Sequence, residues 1–434
     1  MLLSSLQRFL RERFTPAGWV VFGAAATAAA LGVDTTRTMS YQAFAFLAAA
    51  LGVAFLGAAF FRARVTARRE LPRYATAGQP FEYRVVVENL GPRTLNGITL
   101  IERLRDPRPR YQEWRDAREP GEERRNWFDR TQGYFRWRWL IERRTPGRLH
   151  EQPLSALAPG SRASVKLELT PRRRGRIELA GLTLARTDPL GLVRGIGRVR
   201  LQGRVIALPK RYRIPALMLP GRRRFQQGGV TLATSVGDSE EFIGLREYRP
   251  GDPLQKVHWK SFARAGIPIV KEFQDEFFER HALILDTSSG RGEDAAFEEA
   301  VSVAASFVYA IDTRESLLDL LFVGGELRTY TAGRGQMQVE HMLEVLAGVA
   351  PSPPREFETL AGAVLAQRGA LSSCIAVLLE WDEARRSFVE ALQKSGLEAR
   401  VLLVCTREAA PAGAPRGVLV LHPGEIETGL ARLQ

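Results

Sequence analysis

Cysteine is nearly absent from this sequence: there are two in 434 residues, Cys374 and Cys405. Both lie inside apolar runs, "SSCIAVLL" and "VLLVCT", where a thiol behaves as a small hydrophobe. A disulfide framework and a cysteine metal cluster are therefore excluded, and the main domains read as residents of a reducing, cytosolic compartment. Histidine is scarce too. His150, His258, His281, His341 and His422 are scattered, and "HMLEV" lacks the second histidine of a metalloprotease helix. No G-x-S-x-G elbow, Walker A loop or G-x-G-x-x-G after a strand is found, so the chain carries no familiar catalytic motif and is expected not to be an enzyme. Lysine is the third shortage, 6 against 56 arginines. A GC-rich coding sequence produces that bias by itself, which weakens the arginine count as a sign of nucleic-acid binding.

What is present is an ordinary 45% of hydrophobic residues and a net charge of +14, on a chain long enough for two or three domains. The basic excess is local. Residues 101–224 hold 31 Lys and Arg against 13 Asp and Glu, and the remainder is slightly acidic.

Two long stretches carry no charge at all, 16–33 ("PAGWVVFGAAATAAALGV") and 41–61 ("YQAFAFLAAALGVAFLGAAFF"). Each is long enough to cross a hydrocarbon core of about 30 Å as a helix, and only "DTTRTMS" separates them, which predicts a transmembrane hairpin over 1–64. Arg8, Arg11 and Arg13 precede it and Arg62, Arg64, Arg68 and Arg69 follow it, so the positive-inside rule puts both termini on the cytoplasmic side of a bacterial inner membrane. A cleaved signal peptide is the competing reading of the first segment.

From 65 to 215 the pattern has period two. "FEYRVVVENLG", "RASVKLEL", "GRIELAGLTLAR" and "GRVIALP" alternate between turn signals, which predicts a basic β-sandwich-like domain. "YFRWRWLIERR" reads the same way, with Phe135, Trp137 and Trp139 on one face of a strand and Arg136 and Arg138 on the other. Such a face can stack single-stranded nucleic acid, or be an ordinary core face whose arginines are solvated near anionic lipid. Residues 105–131 read as an insertion or long loop. "PRRRGR" (171–176) and "GRRRF" (221–225) read as solvated turns.

Residues 216–280 form a linker followed by a segment dense in charge and aromatics, "SEEFIGLREYRPGDPLQKVHWKSFARAGIPIVKEFQDEF". Phe242, Leu245, Arg246, Tyr248, Gly251, Asp252, Trp259, Ala263, Arg264, Lys271 and Glu272 resemble, in order and spacing, the signature of the bacterial domain of unknown function 58 family. The resemblance includes the helical hairpin, "DPLGL" (188–192) and a C-terminal domain similar to von Willebrand factor A. It implies association with a MoxR-type AAA+ ATPase in a chaperone or assembly role. Glu241, Arg246, Tyr248, Asp252, Trp259, Lys260 and Arg264 are the candidate docking residues; an internal salt-bridge network is the alternative for them.

From 281 to 434, strand-like and helical runs alternate, which predicts a mostly parallel α/β sheet with helices on both faces and its sites at the carboxyl ends of the strands. "LILDTSSG" ends in that position. The resemblance to von Willebrand factor A-like domains implies an Asp-x-Ser-x-Ser site for Mg²⁺, with Asp286, Ser288, Thr359 and Asp382 as ligands. Gly290 stands where the second serine belongs. The alternative is that Asp286 and Ser288 cap the loop with no ion. The expected function is a membrane-anchored scaffold that docks a cytosolic protein. The second reading is a tethered binder of nucleic acid or another anionic polymer through the basic middle region; a salt titration separates the two.

Overall fold

The structure, a computed structural model, describes residues 10, 12–31, 38–215, 240–252, 254–275, 279–289, 295–311, 316–333, 336–411, 413 and 417–433. The chain divides into two compact units, 1–210 and 211–434.

The first unit opens with two uncharged helices that pack on each other, α1 (Pro16–Leu31) and α2 (Thr38–Ala59). Among the described residues, Met39–Ala59 is the one helix long and apolar enough to cross a membrane, with a mean hydropathy of 1.9. The first span is shorter than expected. Helix α1 has 16 residues, which at about 1.5 Å per residue reach roughly 24 Å, less than a hydrocarbon core; residues 32 and 33 lie outside the described residues. Val20, Met39, Phe46 and Phe60 are 72–82% exposed.

Beyond α2, two sheets enclose one apolar core. One has the order β1 (Val65–Glu70), β3 (Phe81–Asn89), β7 (Arg162–Pro171), β5 (Gly147–Leu149). The other runs β2 (Tyr74–Thr76), β9 (Arg194–Leu208), β8 (Gly175–Thr187), β4 (Ile98–Leu104), β6 (Gln152–Leu154). Strand alternation explains the packing: Tyr83, Val85 and Val87 point inwards with Leu167 and Leu169 to meet Leu100, Leu179 and Leu182, while Glu82 and Arg84 face out. Burial of each such apolar side chain contributes about 1.5–3 kcal/mol.

"DPLGL" forms a clamp between this core and the helices. The Asp188 carboxylate accepts from the backbone N–H groups of Leu190 (2.8 Å), Leu192 (2.8 Å) and Val193 (2.6 Å). The turn so fixed places Leu192 and Val193 against Ala54 and Ala58 of α2. It also presents the Leu192 carbonyl to α1, where a Cβ on Gly18 would lie 2.0 Å from that oxygen.

The segment 134–144 is not a strand. It is a helix, α5 (Tyr134–Arg144), and the insertion before it holds two more, α3 (Tyr111–Asp116) and α4 (Trp127–Gln132). The sequence alternates aromatics with arginines, but among the described residues no strand pairs with it. Gly133, at φ 59°, serves as C-cap of α4 and N-cap of α5, and Arg136 pairs with Glu122 across the insertion. Arg125 lies 4.0 Å over the Phe135 ring and Trp114 donates to the Gly133 carbonyl at 3.1 Å. These contacts need a helical repeat; period two was misleading because tertiary partners, not alternation, set the backbone.

In the second unit, β10 (Glu240–Glu247) pairs antiparallel with β11 (Ile269–Asp275), and α6 (Trp259–Ala265) lies between them in sequence. A six-stranded sheet follows, with β12 (Glu279–Leu285), β13 (Ser316–Val323), β14 (Leu327–Ala332), β15 (Ser373–Leu378), β16 (Glu398–Val404) and β17 (Val418–Leu421) in the order β14-β13-β12-β15-β16-β17. All neighbours are parallel except β14, an antiparallel edge that the sequence reading missed. The helices are α7 (Ala295–Ala310), α8 (Gln336–Gly348), α9 (Glu356–Gln367), α10 (Glu383–Lys394) and α11 (Ile426–Leu430). Ile284, Ala376, Leu378 and Leu403 pack on α9 and α10 through Phe357, Leu360, Phe388 and Leu392. Their strand neighbours Leu283, Leu285, Val377 and Leu402, equally buried, point to the opposite face, and α7 packs on β12, β15 and β16. The expected parallel α/β sheet is thus observed.

Candidate functional site

The strand order places β12 between β13 and β15, so the loops leaving β12 and β15 diverge at a topological switch point, where ligands of open α/β sheets characteristically bind. Asp286 follows β12 directly and is 0% exposed. Its Oδ1 accepts from the Ser288 backbone N–H at 2.9 Å and its Oδ2 from that of Leu379, just past β15, at 3.3 Å. The Asp286 backbone N–H bonds the Val377 carbonyl at 2.9 Å, so the acid is fixed from both sides.

The counter-charge is Arg385, 1% exposed, on the first turn of α10. Its Nε donates to Asp286 Oδ2 at 3.1 Å, and its Nη2 to Asp286 Oδ1 at 3.3 Å and to the Ser288 carbonyl at 2.9 Å. Nη1 donates to Asp382 Oδ2 at 2.6 Å, and the guanidinium lies 4.2 Å over the Phe357 ring. Burial pushes the Asp286 carboxyl up to about 6, while Arg385 and the two backbone N–H groups pull it down. Hydroxyls complete the loop: Thr287 Oγ1 donates to the Val323 carbonyl at 2.5 Å, and Ser352 Oγ lies 3.1 Å from Thr287 Oγ1 and 3.3 Å from Ser288 Oγ. A parallel bridge between Ser288 and Ser352 holds the two loops together.

Of the four residues named as Mg²⁺ ligands, three are brought together and one is not. Asp286, Ser288 and Asp382 meet around Arg385. Thr359 is exposed on α9 and makes none of the bonds that join the cluster. Asp382 is the N-cap of α10, its Oδ1 accepting from the Arg385 backbone N–H at 2.9 Å. Gly290 lies outside the described residues. This donor set does not fit a divalent cation as it stands, because both Asp286 oxygens already face a buried positive charge and a second cation in contact with that guanidinium would be repelled.

Arg385 and Ser352 were not foreseen, and the first of them had a signal. The buried residues of α10 are Arg385, Phe388, Val389 and Leu392, spacing i, i+3, i+4, i+7, so an arginine occupies a core position of an otherwise apolar stripe. A buried arginine must be paired, and Asp382 three residues earlier names one partner.

The candidate docking residues separate into two groups. Arg246 is turned onto Asp252, donating from Nη1 and Nη2 at 2.7 Å each; that bond and the Arg249 N–H hold the Asp252 carboxyl down to about 2. Tyr248 is half-buried, its N–H on the Pro268 carbonyl at 2.9 Å. Trp259, Lys260 and Arg264 are exposed on α6, Trp259 by 62%. Glu241 has its backbone in β10, and its side chain lies outside the described residues.

The family described as "Protein of unknown function DUF58" matches residues 244–404, which span the signature and the sheet up to β16. An uncharacterized protein of Bacillus subtilis, YeaD, is 26% identical over 186 residues, 42% of this chain and 45% of that one, so the alignment spans less than half the length of this relative. Among solved structures, the CARDB domain of PF1109 from Pyrococcus furiosus is 14% identical, covering 34% of this chain and 89% of its own, with a TM-score of 0.18. A PapD-like domain of human CEP192 is 13% identical over 33% of this chain and 84% of its own, also at 0.18.

Proposed function

Because residues 244–404 make this chain a DUF58-family protein, whose family description assigns no activity, we propose that it is a membrane-anchored interaction protein, docking a cytosolic partner through the exposed face of α6. In this reading α1 and α2 hold the chain in the bilayer as a two-pass hairpin with both termini in the cytoplasm, and the second unit is a von Willebrand factor A-like body that carries the docking face. The partner expected from the family resemblance is a MoxR-type AAA+ ATPase.

The observation that carries the reading is the solvent exposure of Trp259 (62%), with Leu254 at 68% and Ile267 at 47%, beside the exposed Lys260 and Arg264. A large aromatic left in water next to cationic side chains is the composition of an interface anchor, and such anchors contribute 2 kcal/mol or more, about thirtyfold in affinity. Arg246 and Asp252 serve this face indirectly, by fixing the turn between β10 and α6.

The test is affinity capture of the full chain extracted from membranes, comparing wild type with Trp259→Ala/Arg264→Glu. Recovery of an AAA+ ATPase by the wild type, reduced at least tenfold by the variant, is the expected result. Equal recovery by both would remove α6 as the docking face, and recovery of no ATPase would remove the assigned partner.

A further inference from the structure

The strand-end cluster gathers four oxygens around one point: Asp286 Oδ1 and Oδ2, Asp382 Oδ2 and the Ser288 carbonyl. Carboxylate and carbonyl oxygens converging from two loops are the hard donors that Mg²⁺ or Ca²⁺ takes. Here a nitrogen cation from the same chain meets them. We propose that Arg385 is a built-in replacement for a metal ion, so that this loop is cation-independent in the natural protein and becomes a divalent-cation site when the guanidinium is removed.

Geometry and charge both lead to this. The guanidinium is planar and its four hydrogen bonds divide between the β12 loop (Asp286, Ser288) and the start of α10 (Asp382), the same two segments a bridging ion would join. Phe357 closes the remaining side at 4.2 Å, so no open position is left for a partner's carboxylate, unlike a metal that keeps one exchangeable ligand. Two carboxylates against one guanidinium leave the cluster at −1. Truncating Arg385 leaves both carboxyl groups without a cation around a space lined by the same oxygens; a dication that displaces the Asp286 proton balances the two carboxylates and a monovalent ion does not. The proposal rests on this geometry alone and stands whether or not α6 docks a partner.

The experiment is thermal unfolding of the purified full chain in detergent, titrated with Mg²⁺, Ca²⁺ or Mn²⁺, or treated with EDTA. For the wild type, Tm is expected not to respond to any of them. Arg385→Ala and Arg385→Ser are expected to melt lower in EDTA and to gain Tm with added dication in a saturable way, since a ligand that binds only the folded state stabilises it by mass action. Adding Asp286→Asn to either variant should abolish the gain, and Arg385→Lys, which restores a cation, should be insensitive. If either truncated variant folds only with a dication present, the proposal is equally supported. A wild-type Tm that falls in EDTA, with the fall absent in Asp286→Asn, would show a resident metal and overturn it. So would the failure of both truncated variants to respond to any of the three ions.

Discussion

Replacing Arg385 by Met separates charge from packing, because methionine keeps an apolar stem on the core face of α10 and removes the guanidinium. Asp286, at 0% exposure, then loses its counter-charge. Breaking one side of a buried pair costs about 3–5 kcal/mol. For a unit the size of residues 211–434, 1 kcal/mol moves Tm by about 2–4 °C, so the fall is roughly 6–20 °C. The pH dependence identifies the cause. The folded Asp286 carboxyl sits at about 6, above its ordinary 3.8, so its contribution to wild-type stability is fully present below 3.8 and is lost as pH rises through 6. Without Arg385 the downward pull is gone, and the carboxyl keeps its proton to a higher pH. Above pH 6 the folded variant then holds a proton that the folded wild type has released, and the variant's deficit widens by about 1.4 kcal/mol per pH unit. Unfolding of the full chain followed by circular dichroism at pH 5 and 7.5 measures the two deficits, and hydrogen exchange of peptides covering Glu279–Leu285 reads the same free energy locally. The deficit at 7.5 is expected to exceed that at 5 by roughly 1–2 kcal/mol. A variant within 1 kcal/mol of wild type at both, or a deficit that does not change with pH, would refute the assignment of Arg385 as the counter-charge.

Other residues give shorter tests. Gly18→Ala puts a methyl where the Leu192 carbonyl oxygen already stands, 2.0 Å away; overpacking of this kind costs about 1–3 kcal/mol, and limited proteolysis at the 188–192 loop should accelerate. Asp188→Ala removes the acceptor of three backbone N–H groups and is expected to cost about 1–3 kcal/mol by the same assay. Asp252→Asn tests the signature turn: a carboxyl held down to about 2 contributes fully above its ordinary 3.8 and loses that contribution as pH falls through 2, so the variant's acid-unfolding curve should be shallower between pH 4 and 2. Trp259→Ala is expected to change stability by less than about 0.5 kcal/mol, as surface substitutions do, while reducing partner capture; a large drop in Tm would make Trp259 a packing residue instead.

From 281 onward, the sequence alone determined the alternation of helices with the parallel strands. Buried strands such as "HALILD" and "CIAVLLE", and helices such as "DEARRSFVEALQKSG", declare themselves through burial periodicity, a local property read one segment at a time. It determined the alternating strands "FEYRVVVENLG" and "RASVKLEL" of the first unit for the same reason, and it located Asp286 at a strand's carboxyl end. Tertiary structure decided the rest. Residues 134–144 became a helix because Glu122 and Trp114 stand where a helical, not an extended, repeat can meet Arg136 and Gly133. The short edge strand β14 carries no periodicity of its own and is held by pairing with β13. Above all, the partner of Asp286 lies 99 residues away at Arg385. Ligand spacing along the chain names which residues could hold a cation, but which positive charge fills the space between them depends on where the fold aims one side chain from α10, and no local pattern around Asp286 carries that information.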